Sequence, residues 1–222
     1  MVEYNKLISD GYYYGHVSEI FPDISVFDNF VSEARRLSKT KDNAVYTNDI
    51  KGHKSSYYAR YIPSHRVWVR RETIKKKQLS VSQQWWSYTL QRTIDPNVLE
   101  KFRNQMSNYM ISIYGNVGLT RNNIAHGDNV ALYEPGDFSE IHRDGQNIGR
   151  HAVIIIYLGE NYNNDGGEFV FGERHDIVIE PKFGNFVMLD FTKNNVPHGV
   201  LPVKNNFKRL SYLDFVANLD MQ

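Results

Sequence analysis

No cysteine occurs anywhere in this chain of 222 residues. That absence excludes a disulfide scaffold, a thiolate zinc site and a cysteine nucleophile, so any metal must sit on His, Asp or Glu. Charge of one sign is lacking too: 26 Lys and Arg against 25 Asp and Glu leave a net +1. No bulk field therefore points to nucleic acid or to an anionic membrane. Long apolar runs are missing as well. The longest, Ala152 to Leu158, falls far short of a membrane span. The N-terminal stretch from Met1 to Asp10 has neither the basic nor the apolar region of a signal peptide. No linker, repeat or low-complexity segment divides the chain. The expectation is one domain over residues 1–222, soluble and cytoplasmic, with no membrane contact.

Aromatic residues are plentiful, with 15 Tyr, 12 Phe and 3 Trp, which favours strands and the walls of a cavity. In the first half, Phe27, Phe30, Val31, Ala34 and Leu37 recur at helical spacing. A second helix is predicted behind Asp95-Pro96, an N-cap followed by a first-turn proline. Its apolar stripe is Val98, Leu99, Phe102, Met106, Tyr109, Met110 and Ile113, ending at Gly115. Core packing is the expected role of its Met and Tyr residues. From Gly127 the pattern changes to eight short runs: Asn129–Tyr133, Phe138–His142, Ala152–Leu158, Glu168–Phe171, Ile177–Glu180, Phe186–Phe191, His198–Val203 and Arg209–Val216. Turn residues such as Pro135-Gly136 and Asn163-Asn164-Asp165-Gly166-Gly167 separate them. This is the pattern of a jelly roll. The fold class is mainly β with supporting α-helices: a double-stranded β-helix core over 127–216, with residues 1–126 supplying support and substrate-lid elements.

Two imidazoles and a carboxylate on one side of a metal, with other positions open, suit a non-haem iron(II) oxygenase. In sequence this is His-x-Asp on one strand and a distant His on another. Residues two apart in a strand point the same way, so His142 and Asp144 can converge on one ion. Taken alone the pattern is weak: with 8 histidines and 25 acidic residues, about one match arises by chance. A second pair, His126-Gly127-Asp128, is present, and either could be a solvated turn. Context distinguishes them. Around His142 stand Leu132-Tyr133-Glu134-Pro135-Gly136, the apolar run Val153 to Leu158, Asp165-Gly166-Gly167-Glu168-Phe169, the stretch Pro181 to Phe191, Pro197-His198-Gly199-Val200 and Arg209-Leu210-Ser211. His126 has no such frame and is set aside.

That series, from Tyr133 to Val216, resembles the catalytic core of the 2-oxoglutarate/iron(II)-dependent oxygenases, in particular the prolyl 4-hydroxylase-like branch. The resemblance covers about two-fifths of the chain, and no single element of it is specific. It makes His142 and Asp144 the proximal metal ligands and His198 the distal one. A carboxylate at 144 implies hydroxylation, because the related halogenases lack it. The implied cofactors are Fe(II), 2-oxoglutarate as co-substrate and O2, with ascorbate as reductant in vitro. A guanidinium suits the free carboxylate of 2-oxoglutarate, since its fork matches a carboxylate and keeps its charge. Arg209, at the start of the last predicted strand, is the candidate. Ser211 shares its face, and Lys208 faces away. Tyr157 matches a strand tyrosine that assists in the prolyl-hydroxylase branch. Tyr133 is either a further donor or plain core. Nucleic-acid dealkylating relatives carry a second arginine where this chain has Phe215, so a nucleic-acid partner is not expected.

Substrate choice in such folds belongs to elements around the barrel mouth. Here those are Tyr12-Tyr13-Tyr14, Tyr57-Tyr58-Ala59-Arg60-Tyr61 and the segment from His65 to Lys77. The basic residues of that last segment read as a solvated strand and turn, given the balanced overall charge. Two substrate classes stay open: a prolyl or other residue in a protein or peptide, and a free amino acid or other small metabolite. A catalytically silent binding module is the reading from a different class.

Overall fold

A computed structural model of the chain describes residues 7, 9–40, 44–49, 58–62, 67–71, 83–90, 93–144, 150–172, 174–192 and 196–221. Among them are thirteen strands and two long helices. The strands are β1 (Tyr12–His16), β2 (Ala44–Asp49), β3 (Tyr58–Ile62), β4 (Val67–Arg71), β5 (Gln83–Thr89), β6 (Ile124–Tyr133), β7 (Phe138–His142), β8 (Arg150–Tyr157), β9 (Phe169–Phe171), β10 (Ile177–Ile179), β11 (Asn185–Asp190), β12 (His198–Val200) and β13 (Arg209–Asn218). The helices are α1 (Ile24–Thr40) and α2 (Pro96–Tyr114).

Pairing is antiparallel throughout and runs β1-β11-β8-β13-β6-β5-β7-β12-β9-β10, with β2 on the free side of β5. The path folds over at β5, which pairs with β6 through Trp86–Thr89 and with β7 through Gln83 and Gln84. The result is a roll with two layers, the mainly β architecture expected. Strands β3 and β4 form a two-stranded sheet of their own.

Side-chain alternation along the larger layer sorts its residues between two cores. Val130 and Leu132, Ala152, Ile154 and Ile156, Phe186 and Met188, and Leu210 and Tyr212 face the helices. Ala131 and Tyr133, Val153, Ile155 and Tyr157, and Val187 and Leu189 face into the roll, against Phe169, Phe171 and Val200 of the second layer. This is why β8 reads as an unbroken apolar run: both of its faces are buried.

The helices close the outer face. Phe30 of α1 stacks on Phe102 of α2 with centroids 3.8 Å apart, and both meet the Tyr212 ring edge-on. Asp95 caps α2, its carboxylate accepting from the backbone N–H groups of Asn97 and Val98. The helix ends at Gly115, as expected, with φ −59° there, and the chain continues through a 3-10 turn to Gly118, where φ reaches 92°. Gly118 is the residue that makes the left-handed turn, a conformation glycine adopts without strain.

The run Tyr12-Tyr13-Tyr14, expected to act at the barrel mouth, lies in edge strand β1 and pairs with Leu189 to Val187 of β11. Tyr12 stacks on Phe171 at 4.4 Å, whereas Tyr14 is largely exposed. Tyr57, His65, Arg66 and residues 72–77 of the other expected mouth elements lie outside the described residues. Among the described residues, no helix is long and apolar enough to cross a membrane.

Candidate active site

The strand β7 ends at His142, and the register sets His198, the first residue of β12, directly opposite. Between the two strands the backbone approach is tight. A Cβ added at Gly199 would lie 2.7 Å from the Ser139 carbonyl oxygen, so glycine is what lets β12 close onto β7. Asp144 follows two residues after His142. The donor atoms of His142, Asp144 and His198 lie within 4.8 Å of one another. His142 Nε2 is 3.7 Å from Asp144 Oδ1, and His198 Nε2 is 3.4 Å from Asp144 Oδ2.

The tautomers follow from the partners on the other ring nitrogens. His142 Nδ1 lies 2.8 Å from the Glu140 carbonyl oxygen, and His198 Nδ1 lies 3.0 Å from that of Val196. A carbonyl only accepts, so each Nδ1 carries a proton and each Nε2 is the atom turned toward Asp144. Burial, followed by the neighbouring His198, lowers the pKa of His142. Burial alone would raise Asp144, but the hydrogen bond and charge of His198 and the charges of His142 and Arg150 leave it below the usual carboxylate range. Two imidazole nitrogens and one carboxylate make a donor set that fits a divalent first-row metal.

Deeper in the roll, Arg209 opens β13 opposite Tyr133 of β6 and is 2% exposed. Its guanidinium carbon lies 4.8 Å from the Tyr133 ring centroid and 5.2 Å from that of Tyr157. Arg209 Nη1 donates to Ser211 Oγ at 3.2 Å. Its Nε and Nη2, and the Tyr157 hydroxyl, have no hydrogen-bond partner. Buried polar groups are rarely left in this state, and a ligand carboxylate is what such a guanidinium fits. Burial pushes both the Tyr133 and the Tyr157 phenols up to about 12, against the opposing charge of Arg209, so both keep their proton. Tyr133 offers Arg209 the face of its ring, itself stacked on Trp85 at 6.0 Å. Lys208 points outward to Glu134.

One cavity contains all these groups except Tyr157. Its walls include His142, Asp144, His198, Arg209, Ser211 and Tyr133, with Trp85, Asn129, Val153, Ile155, Phe169, Leu213 and Phe215 around them. Sequence reasoning missed Trp85, Asn129 and Arg150, and used Phe215 only as the replacement of an arginine. Asn129 was recoverable, being two and four residues from Ala131 and Tyr133 on the same strand. Arg150 was not. A register shift between Ala152↔Val216 and Arg150↔Ala217 inserts an extra residue into β8. The outcome sets His151 beside Tyr114 under the helices and Arg150 4.6 Å from the Phe215 ring.

The rejected pair behaves differently. His126 Nδ1 contacts Asp214 Oδ2 at 2.6 Å, and His126 Nε2 contacts Ser107 Oγ at 2.8 Å. Asp128 receives two hydrogen bonds from Arg103 of α2.

A jelly roll with this donor set is the scaffold of an iron oxygenase, and the sequence agrees. Residues 129–216 match the family model described as the 2OG-Fe(II) oxygenase superfamily. Over those residues the chain resembles the dioxygenases that use Fe(II), 2-oxoglutarate and O2, and His142, Asp144 and His198 lie within the matched stretch. No curated protein sequence matches the chain significantly. Solved structures share the fold. A Pseudomonas putida prolyl-4-hydroxylase is 21% identical with TM-score 0.60, over 96% of this chain and 98% of that one. A Trichoplax adhaerens prolyl hydroxylase, solved with a hypoxia inducible factor peptide fragment, is 19% identical with TM-score 0.58, over 98% and 88%. A Burkholderia pseudomallei oxidoreductase of the 2OG-Fe(II) oxygenase family is 14% identical with TM-score 0.62, over 96% and 88%.

Proposed function

We propose that this enzyme hydroxylates an unactivated C–H bond of a prolyl residue, or of another residue, in a protein or peptide. In this reading His142, Asp144 and His198 hold the iron, and Arg209 with Ser211 and Tyr157 holds 2-oxoglutarate. The observation that carries it is the pairing, within one roll, of a three-donor cluster with a buried guanidinium whose Nε and Nη2 have no hydrogen-bond partner. The prolyl preference is supported by the similarity in fold to prolyl hydroxylases, one of them bound to a peptide.

When bound, Fe(II) and 2-oxoglutarate supply the activation of O2, with succinate and CO2 as by-products. The chain's own part is positioning. The carbonyls of Glu140 and Val196 fix the two imidazoles with Nε2 inward. Arg209 would hold a carboxylate of the co-substrate, and the Tyr133 and Tyr157 rings, 4.8 Å and 5.2 Å from its guanidinium carbon, would keep water from that contact. The apolar residues Val153, Ile155, Leu213 and Phe215 line the rest of the cavity and exclude bulk water from the reacting centre. No side chain needs to act as a general base.

The test is succinate formation from 2-oxoglutarate with Fe(II) and ascorbate, run with proline-containing peptides and with free amino acids. A mass gain of one oxygen on a peptide supports the proposal. Oxidation of free amino acids alone would move the substrate to small metabolites. Binding of 2-oxoglutarate without turnover on any candidate would favour a silent module.

A further inference from the structure

We propose that Asn129 is the substrate-orienting residue of this cavity, its Oδ1 accepting a hydrogen bond from an N–H or O–H group beside the carbon that is oxidised. The inference rests on the assignment of iron and 2-oxoglutarate made above. Asn129 lies on β6 two residues before Ala131 and four before Tyr133, on the wall that faces the cavity. Across one ladder it faces Leu213 and across the other Thr89, and Phe215, Val153 and Ile155 line the same cavity. Its Oδ1 is buried and has no hydrogen-bond partner.

Every other strongly polar side chain lining the cavity is accounted for. His142, Asp144 and His198 form the metal cluster, Arg209 and Ser211 contact each other, and Ser139 Oγ lies 3.5 Å from His142 Nδ1. A buried acceptor without a partner is costly to a fold, which points to a ligand that supplies the missing donor. The co-substrate lacks one. 2-Oxoglutarate is a dianion at neutral pH, with acceptor oxygens and neither N–H nor O–H. His142, Asp144 and His198 would hold the metal, and Arg209 the co-substrate. The donor must therefore come from the primary substrate. A prolyl ring nitrogen inside a peptide carries no hydrogen, so in a peptide the donor is the backbone N–H that follows the proline.

Asn129→Leu removes the acceptor, and Asn129→Asp keeps an acceptor at the same reach while removing the donor end. Both variants are compared with the wild type using an N-acetylated Ala-Pro-Ala amide, the same peptide methylated on the nitrogen after proline, and free L-proline. Affinity for 2-oxoglutarate is read without oxygen from the Fe(II)–2-oxoglutarate absorption band. In Asn129→Leu the substrate KM is expected to rise about tenfold, the size of one lost hydrogen bond. Asn129→Asp recovers most of that loss. Methylating the peptide nitrogen raises the wild-type KM to a similar degree and adds nothing in Asn129→Leu. Melting of Asn129→Leu should be no lower than wild type, because an unpartnered acceptor is gone. A KM within twofold of wild type in Asn129→Leu would overturn the inference. So would a tenfold loss of 2-oxoglutarate affinity in both variants, which would assign the amide to the co-substrate. Failure of the iron and 2-oxoglutarate assignment shows separately, as a wild type without the absorption band.

Discussion

Replacing Arg209 with Met separates a ligand clamp from a structural ion. The guanidinium is 2% exposed, with a single hydrogen bond to Ser211 and two nitrogens without partners. A buried cation in that condition destabilises the ligand-free fold. Exchange for an apolar side chain of similar volume should leave the fold as stable or raise its stability by about 1–3 kcal/mol. For a chain of this length that corresponds to a melting temperature higher by about 2–12 °C. With 2-oxoglutarate the order reverses. At a hundredfold excess over Kd the wild type gains about 2.7 kcal/mol, a rise of about 5–10 °C. Losing a buried charge-assisted pair costs about 3–5 kcal/mol, so the variant's affinity falls at least a hundredfold and its shift disappears at the same concentration. The assay is thermal unfolding of the Fe(II) form under exclusion of oxygen, with and without 2-oxoglutarate. A wild-type ligand shift in Arg209→Met would refute the clamp. A fall in ligand-free melting temperature of more than about 5 °C would show instead that the guanidinium holds the fold together.

His198→Ala should abolish stoichiometric iron binding, measured by metal content after desalting, while far-UV circular dichroism stays unchanged. Gly199→Ala, which places a methyl 2.7 Å from the Ser139 carbonyl, should push β12 off β7 and weaken iron affinity at least tenfold by the same measurement, although no ligand is altered. Phe102→Ala, at the contact of both helices with Tyr212, should cost about 3–5 kcal/mol in urea unfolding. The buried cluster of His126, Asp214, Asp128 and Arg103 sets a pH dependence. Burial lowers His126, but the charge and hydrogen bond of Asp214, with the charge of Asp128, outweigh it and leave His126 raised, against the opposing charge of Arg103. A raised folded-state pKa gives stability that is complete below the ordinary histidine value of about 6.5 and is lost as pH rises through the higher value. The wild type should therefore lose stability above about pH 6.5, and Asp214→Asn should flatten that slope.

The catalytic roll was legible because its signals are local. Strands β7 to β13 are short runs punctuated by turn residues, and each residue two from a site residue shares its face. Asp95-Pro96 and the apolar stripe behind it fixed α2 in the same way. The strands of the first half lack those signals. Strand β5, Gln-Gln-Trp-Trp-Ser-Tyr-Thr, opens on two polar residues and alternates only from Trp86, and its pairing with β6, β7 and β2 holds it extended. It brings Trp85 to the cavity from more than forty residues away in sequence. Strand β1 is held along β11, a partner that lies near the other end of the chain. The bulge at His151 depends on a mismatch of length between β8 and β13, which a single strand's sequence does not contain.

The two His-x-Asp pairs differ in a way that sets the proposed metal site apart. Both occur at or beside strands of the same roll, both are partly buried, and both bring carboxylates within reach of imidazoles. They differ in what the second ring nitrogen meets. His126 lies on the helix-facing side of β6, where Ser107 and Asp214 engage both of its nitrogens and Arg103 neutralises Asp128 through two hydrogen bonds. No lone pair is left to offer. His142 and His198 each give only Nδ1 to a backbone carbonyl, and their Nε2 atoms converge on one carboxylate from opposite strands. Residue type and spacing are the same in the two cases, so neither can distinguish a ligand from a structural histidine. The distinction is made by which strand face the pair occupies and whether a helix on that face supplies competing donors.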